Sequence, residues 1–193
     1  MKKSTISIII VIALIVIWAI SGYNGLVNEE ETVNNTWAKV QSDYQRRSDL
    51  IPNLVNVVKG YAEHEKGTLE SVIEARSKAT QINIKAEDLT EESLKKIQAA
   101  QSELSSALNK LMVVNERYPD LKANEQFKEL QVQLESTENR IKESRNQYND
   151  AVKKYNIKVR KFPKSILANL FGFSKKPAFE ADADAQKAPE VKI

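Results

Sequence analysis

The sequence predicts an all-α protein, an antiparallel up-and-down four-helix bundle preceded by one N-terminal transmembrane helix. The 193 residues include only five Gly and five Pro, too few turn residues for a β architecture. From Leu26 onward, apolar residues recur every three and four positions, a spacing typical of helices packed side by side. A run of fifteen largely apolar residues, Ile6–Ile20, precedes them.

The composition excludes several classes of function. The chain has no Cys and one His, which excludes a disulfide framework, a thiol nucleophile, a thiolate metal site and any chemistry that needs two imidazoles. The formal net charge of +3 is too small to indicate a nucleic-acid partner. We therefore expect a non-catalytic protein that needs no cofactor.

Residues 6–23 are the predicted transmembrane anchor, which leaves residues 1–5 as a short cytoplasmic N-terminus. The apolar run, extended to Tyr23 as an interfacial aromatic residue, covers about 27 Å at 1.5 Å per residue, close to a hydrocarbon core of about 30 Å. The alternative is a cleaved secretory signal, because small residues precede Gly22. The retained anchor is favoured because the chain continues beyond Gly22 in helical register.

Residues 26–162 form the predicted helical bundle. Pro119 separates its third and fourth segments, and Pro163 ends the fourth. An amphipathic segment follows at residues 163–173. Residues 174–193 are rich in Lys, Ala, Asp, Glu and Pro without periodicity, which predicts a disordered tail.

Pro52 is the ambiguous position, because the apolar spacing continues through it. A kinked continuous helix over residues 28–80 would be about 80 Å long, much longer than its neighbour of about 45 Å. Since the residue before a proline disfavours the α region, we expect a turn or a sharp bend near Leu50–Ile51.

Charged residues interrupt the apolar seams at positions where the spacing calls for leucine. An unpaired buried charge costs several kcal/mol, so we expect a polar layer of Arg–carboxylate pairs that sets the register of the helices. The alternative is that these long side chains extend from the seam edges into solvent. A two-metal carboxylate site would need the motif Glu-x-x-His on two helices. The one histidine, His64, has Tyr61 instead of a glutamate three positions before it, so the sequence does not favour a metal site. The residues concerned are Glu30, Arg47, Glu65, Arg76, Glu138 and Arg145.

A basic and amphipathic stretch closes the predicted bundle. In an up-and-down layout the last helix ends where the first began, so this stretch should lie beside the bilayer and face anionic lipid. The equally weighted alternative is that it caps the open end of the bundle. Its residues are Lys158, Arg160, Lys161, Lys164, Phe162, Leu167 and Phe171.

The chain carries several longer motifs, which include Tyr23-Asn24-Gly25-Leu26-Val27, Arg46-Arg47-Ser48-Asp49-Leu50-Ile51-Pro52-Asn53-Leu54-Val55, Tyr61-Ala62-Glu63-His64-Glu65, Glu74-Ala75-Arg76, Tyr118-Pro119-Asp120-Leu121-Lys122-Ala123, Arg145-Asn146-Gln147-Tyr148-Asn149 and Phe171-Gly172-Phe173. Together these motifs resemble the LemA family of bacterial membrane proteins, over about residues 22–191. The resemblance implies an antiparallel helical bundle on one N-terminal membrane segment, with no known enzymatic activity. The final Ile193 departs from the aromatic ending expected of the family.

Two functional hypotheses follow. The first is a non-catalytic envelope scaffold or interaction module in the bacterial cytoplasmic membrane, with membrane lipid and an unidentified protein as its partners. Lys2 and Lys3 precede the apolar run and acids follow it, which places the body on the extracytoplasmic side. The second is an accessory or sensor subunit that relays the state of the envelope. An enzyme would need the predicted charged cluster in an open pocket with perturbed protonation.

Overall fold

The computed structural model of the chain describes residues 3–82 and 84–180, and this part is all-α without strands, as predicted. The first helix is the longest element, with 59 residues. It contains both the apolar run and the first helix of the bundle. The six α-helices are α1 (Lys3–Tyr61), α2 (Lys66–Gln81), α3 (Glu91–Val114), α4 (Pro119–Ala123), α5 (Glu125–Arg160) and α6 (Lys164–Phe171).

The prediction that a turn or sharp bend near Leu50–Ile51 separates two helices is wrong, because α1 continues as one helix through Pro52 to Tyr61. A proline inside a helix costs about 3 kcal/mol through a lost hydrogen bond and a clash with the preceding turn. Here Pro52 faces solvent, and its neighbours Ile51 and Leu54 are 1% and 0% exposed. Burying two such side chains stabilises the folded protein by roughly 3–6 kcal/mol, which offsets the cost of the proline. The chain turns after Tyr61 instead.

One hydrophobic core, the distal core, lies far from the apolar run. Four helices, α1, α2, α3 and α5, surround this core. The end of α1 packs there beside the start of α2, and the end of α3 packs beside the start of α5. Helices that are consecutive in the chain are therefore antiparallel. The distal core comprises Ile51, Leu54, Val58, Leu69, Val72, Leu104, Leu108, Leu111, Leu121, Phe127, Leu130 and Leu134, with smaller residues between them.

A second core, the proximal core, lies nearer the apolar run, beyond the reach of the 16-residue α2. Three helices of the bundle, α1, α3 and α5, surround it together with α6. Two further segments complete its wall: the linker before α3, which contains the short 3-10 helix Ala86–Asp88, and the extended residues 173–180. The four-helix arrangement therefore applies to the distal half alone. The proximal core comprises Leu26, Val33, Trp37, Val40, Leu89, Leu94, Ile97, Tyr148, Val152, Tyr155, Val159, Leu167, Ala168 and Phe179, with smaller residues.

The C-terminal segment, residues 173–180, is extended and lies against the bundle, whereas the sequence predicted disorder from residue 174. Phe179 is 6% exposed in the proximal core. The physical reason for the difference is that an extended segment held by side-chain amides has no apolar periodicity for sequence analysis to detect. The remainder of the predicted tail, residues 181–193, lies outside the described residues.

Within the described residues, α1 is the one helix with the length and composition to cross a membrane, with a mean hydropathy of 2.6 in its most apolar window. The side chains of that window face outward. Ile8 and Ile17, for example, are 57% and 63% exposed.

A cis peptide bond joins Phe162 to Pro163, between α5 and α6.

Candidate functional site

A buried arginine lies between the two hydrophobic cores. Arg47 of α1 is 2% exposed. Its Nη1 donates to Glu138 Oε2 of α5 at 2.5 Å and to Ser105 Oγ of α3 at 2.9 Å. Its Nη2 donates to Gln101 Oε1 of α3. We call these four residues the arginine layer, because one guanidinium joins three helices there.

Further polar groups lie beside the arginine layer. Ser48, Thr137 and Ser144 are buried at neighbouring positions of α1 and α5. Arg76 Nε of α2 donates to the carbonyl oxygen of Ser48 at 2.9 Å. This hydrogen bond joins α2, the remaining helix of the bundle, to α1 at the level of the arginine layer. The middle of the bundle is therefore held by hydrogen bonds, and the two cores by apolar contact.

Glu65 lies at the far end of the bundle from the apolar run. Its Oε1 pairs with an Arg117 Nη2 at 3.0 Å and accepts from the Tyr118 hydroxyl at 3.3 Å. These contacts join the turn before α2 to the turn before α4. The structure therefore places Glu65 in an interhelical joint, apart from the arginine layer.

Two more of the predicted seam charges hold the C-terminal segment. Glu30 Oε1 pairs with Lys176 Nζ at 3.0 Å, and the Arg145 guanidinium lies 4.6 Å from the centre of the Phe179 ring. Among the six predicted seam charges, the structure thus joins Arg47 directly to Glu138 and brings Arg76 near them. Glu30, Glu65 and Arg145 lie elsewhere.

The arginine layer is open on one side. Glu138 is 37% exposed at the edge of a groove of about 520 Å³ between α3 and α5, which Arg47 and Ser105 also line. No group of three or more metal-ligating side chains occurs among the residues that the structure describes. The two terminal nitrogens of Arg47 bond one carboxylate and two neutral oxygens, while its buried Nε has no hydrogen-bond partner among the described residues. A buried pair of this kind is suited to fixing helix register.

Two asparagines of α5 hold the backbone of the C-terminal segment. Asn156 donates to the Lys176 carbonyl at 2.8 Å and accepts from its N–H at 2.9 Å. Asn149 bonds both backbone groups of Phe179 at 3.2 and 2.8 Å. Seven helical residues rise about 10.5 Å, close to the roughly 10 Å that three extended residues span. The two asparagines are therefore in register with an extended chain.

An aromatic pocket receives the Phe179 ring. Its centre lies 6.0 Å from the Trp37 ring and 5.5 Å from the Tyr148 ring. The Tyr148 hydroxyl donates to the Pro177 carbonyl at 2.9 Å, and burial raises the pKa of this phenol, which keeps it a neutral donor. Sequence analysis missed this docking; the seven-residue spacing of Asn149 and Asn156 was the available signal.

The proximal end of the bundle is closed by α6. Leu167 and Ala168 are buried, and Leu167 lies so close to α1 that a Cβ on Gly22 would come within 2.5 Å of its Cδ1. The Tyr23 ring lies 4.9 Å from that of Phe171, edge to face. α6 therefore contacts α1 immediately beyond the apolar run.

The other predicted membrane-proximal residues differ in exposure. Lys158 Nζ pairs with Glu29 Oε1 at 2.5 Å. Arg160 and Lys161 are exposed, Lys164 is half-buried, and Phe162 is 76% exposed. One face of α6 thus caps the bundle, and the apolar side chains of its other face point outward.

Gly22→Ala should loosen α6. Alanine favours a helix over glycine by about 1 kcal/mol, but here its methyl group collides with buried Leu167. We expect trypsin to cleave after Lys164 faster than in the unchanged protein. Gly60→Ala is the matched control on the same helix, because among the described residues outside its own helical turn no atom lies within 4 Å of its Cβ position; it should leave the cleavage rate unchanged. Equal rates for both variants would contradict the tight contact.

The sequence model of the LemA family matches residues 36–193 of this chain. The chain belongs to the LemA family. The matched range contains the arginine layer, the C-terminal segment and α6. A relative described as "Protein LemA" from Metamycoplasma hominis is 24% identical over 118 residues, which cover 61% of this chain and 50% of that protein. The chain therefore spans about half the length of this LemA relative.

Proposed function

We propose that this LemA-family protein is a single-pass, membrane-anchored, non-catalytic scaffold or interaction module of the bacterial envelope. The observation that carries the proposal is the continuity of α1, which runs from Lys3 to Tyr61 without interruption. The same helix carries the exposed apolar run and the buried seam of both cores. A membrane-spanning α1 would thus hold the bundle upright on the bilayer without a flexible linker.

The ends of the apolar run support membrane anchoring. Trp18 and Tyr23 lie where the run meets the bundle, and Lys2 and Lys3 precede it. Aromatic rings favour the membrane–water boundary, and cations near a span remain on the cytoplasmic side. The bundle would accordingly face the extracytoplasmic side of the cytoplasmic membrane.

The arginine layer supports a structural role for the body. Its one buried charge is paired with Glu138 and bonded by Gln101 and Ser105, so the layer presents no unpaired nucleophile or base. Pairing of this kind is best attested as a device that fixes helix register. A fixed register suits a protein whose surfaces bind other envelope proteins.

A second candidate, an accessory subunit that relays the state of the envelope, is favoured by the same continuous helix. A rotation or tilt of the apolar run would pass along α1 to Arg47 without a joint to absorb it. Such a subunit would act through a partner membrane protein that contacts α1 within the bilayer.

A cysteine-accessibility experiment tests the anchor and its orientation. Because the chain has no Cys, Ser106→Cys introduces a single thiol on an exposed face of α3. We expect a membrane-impermeant maleimide to label it in intact cells, with the labelled protein in the carbonate-resistant membrane fraction. Ser4→Cys is the matched control and should be labelled after lysis alone. The reverse pattern would place the body in the cytoplasm, and carbonate extraction would contradict the anchor.

A further inference from the structure

A groove lies where α5 meets α6. Its volume is about 530 Å³, and its lining combines two kinds of side chain. Ile157, Phe162 and Pro163 supply apolar surface, and lysines, including Lys161 and Lys164, surround it. Ile157 and Phe162 are 52% and 76% exposed, so the apolar surface is open to the surroundings.

The position of the groove along α1 places it at the depth of lipid headgroups. α6 contacts α1 at Gly22 and Tyr23, and the Lys164 amine would lie 3.6 Å from a Cβ on Gly25. These residues follow the end of the apolar run by about 3–8 Å at 1.5 Å per residue. The headgroup layer extends about 5–7 Å beyond the hydrocarbon core on each side. An apolar surface and lysines at that depth match a phospholipid.

The charges around the groove favour an anionic headgroup. Lys158 is neutralised by Glu29 at 2.5 Å. In the part of the chain that the structure describes, Lys161 and Lys164 pair with no carboxylate. These two amines are therefore available to a phosphate. The ring of Phe162 and the side chain of Ile157 lie beside them and suit the glycerol backbone and the first carbons of an acyl chain.

We propose that this groove binds the phosphate headgroup of an anionic phospholipid, with Lys161 and Lys164 as the phosphate-binding residues. The proposal deepens the proposed anchoring function and rests on it, because the anchor is what brings the groove to the lipid. Lipid bound there would fix α6, and with it the proximal end of the bundle, to the bilayer surface.

The test is a binding titration of the full chain in a neutral detergent, with the thermal midpoint as readout, since a ligand of the folded state raises it with concentration. The probes are short-chain phosphatidylglycerol, short-chain phosphatidylcholine and glycerol phosphate. The test variant is Lys161→Gln with Lys164→Gln. Lys110→Gln with Lys128→Gln is the control, because it removes the same charge from exposed positions beside the distal core.

We expect phosphatidylglycerol to raise the midpoint of the unchanged protein and of the control variant. A lysine near an anionic lipid surface contributes a factor of about five in affinity, so the test variant should bind about 25-fold more weakly. Equal binding by the test variant, or an equal shift with phosphatidylcholine, would overturn the proposal. A shift of the same size with glycerol phosphate would assign the groove to a free phosphate compound instead.

The titration separates this proposal from the proposed anchor. Detergent presents the lipid whether or not residues 6–23 cross a bilayer, so a failed anchor appears in the carbonate fractionation and leaves the titration unchanged. A failed lipid site appears in the titration while the protein remains in the membrane fraction. Matching midpoints of the two lysine variants without lipid show that both are folded.

Discussion

Glu138→Ala should lower the free energy of unfolding by about 3 kcal/mol, the lower end of the range for breaking a buried ion pair. The substitution leaves the Arg47 guanidinium, 2% exposed, with neutral partners alone. The groove beside Glu138 admits solvent, and for this reason we expect the lower end of the range. Denaturant unfolding of the full chain in a neutral detergent measures the change.

Glu135→Ala is the matched control for this substitution. Glu135 lies one turn earlier on α5, is exposed and lines the same groove, so its removal should change the free energy of unfolding by less than about 0.5 kcal/mol. Equal effects of the two substitutions would contradict a paired charge at Arg47.

A double substitution separates pairing from packing in the arginine layer. Arg47→Met with Glu138→Leu removes both charges and keeps similar volume, and replacing a buried pair in this way is often neutral or stabilising. We expect the double variant to be at least about 2 kcal/mol more stable than Glu138→Ala alone. Such a result would mean that most of the loss in Glu138→Ala comes from leaving the buried Arg47 charge unpaired.

Phe179→Ala should lower the free energy of unfolding by about 3–4 kcal/mol, because truncating a buried phenylalanine loses its transfer energy and leaves a cavity. The ring is 6% exposed between Trp37 and Tyr148, and Arg145 lies against it. The same denaturant unfolding experiment measures the loss, and hydrogen exchange should show the backbone N–H of Lys176 losing protection.

Phe162→Ala is the control for Phe179. Phe162 is 76% exposed and lies outside the proximal core, so the same change of residue type should alter stability by less than about 0.5 kcal/mol in lipid-free detergent. If Phe179→Ala were equally mild, the C-terminal segment would be an appendage. A loss of about 3 kcal/mol in the free energy of unfolding would show that the C-terminal segment is part of the folded bundle.

The helices and the apolar run were predictable because their causes are local. A helix forms its hydrogen bonds within four residues, and its buried side appears in the sequence as apolar residues three and four apart. The apolar seam that begins at Leu26 was predicted from this spacing, and Val33, Trp37 and Val40 along it are buried. The cap of α3 has an equally local cause, because Thr90 Oγ1 accepts from Ser93 N at 3.1 Å.

The course of α1 through Pro52 could not be read from its own sequence. The local preference before a proline favours a turn, and what opposes it is the burial of Ile51 and Leu54 by residues of other helices. The charged seam was similarly undecided. Spacing placed six charges on inward faces, and it could not show that Arg47 meets Glu138, 91 positions away, while Glu30 and Arg145 contact the C-terminal segment.

Local patterns were thus enough to predict the all-α class, the apolar N-terminal helix, the apolar core positions of the helices and the family, since each depends on neighbours within a few turns or on motif identity. The tertiary structure decided where α1 ends, which charges pair, and that residues 173–180 replace a helix along the proximal core. Those outcomes depend on partners far away in the chain. Asn149 and Asn156 satisfy the extended backbone, and a local pattern carries no information about such distant hydrogen bonds.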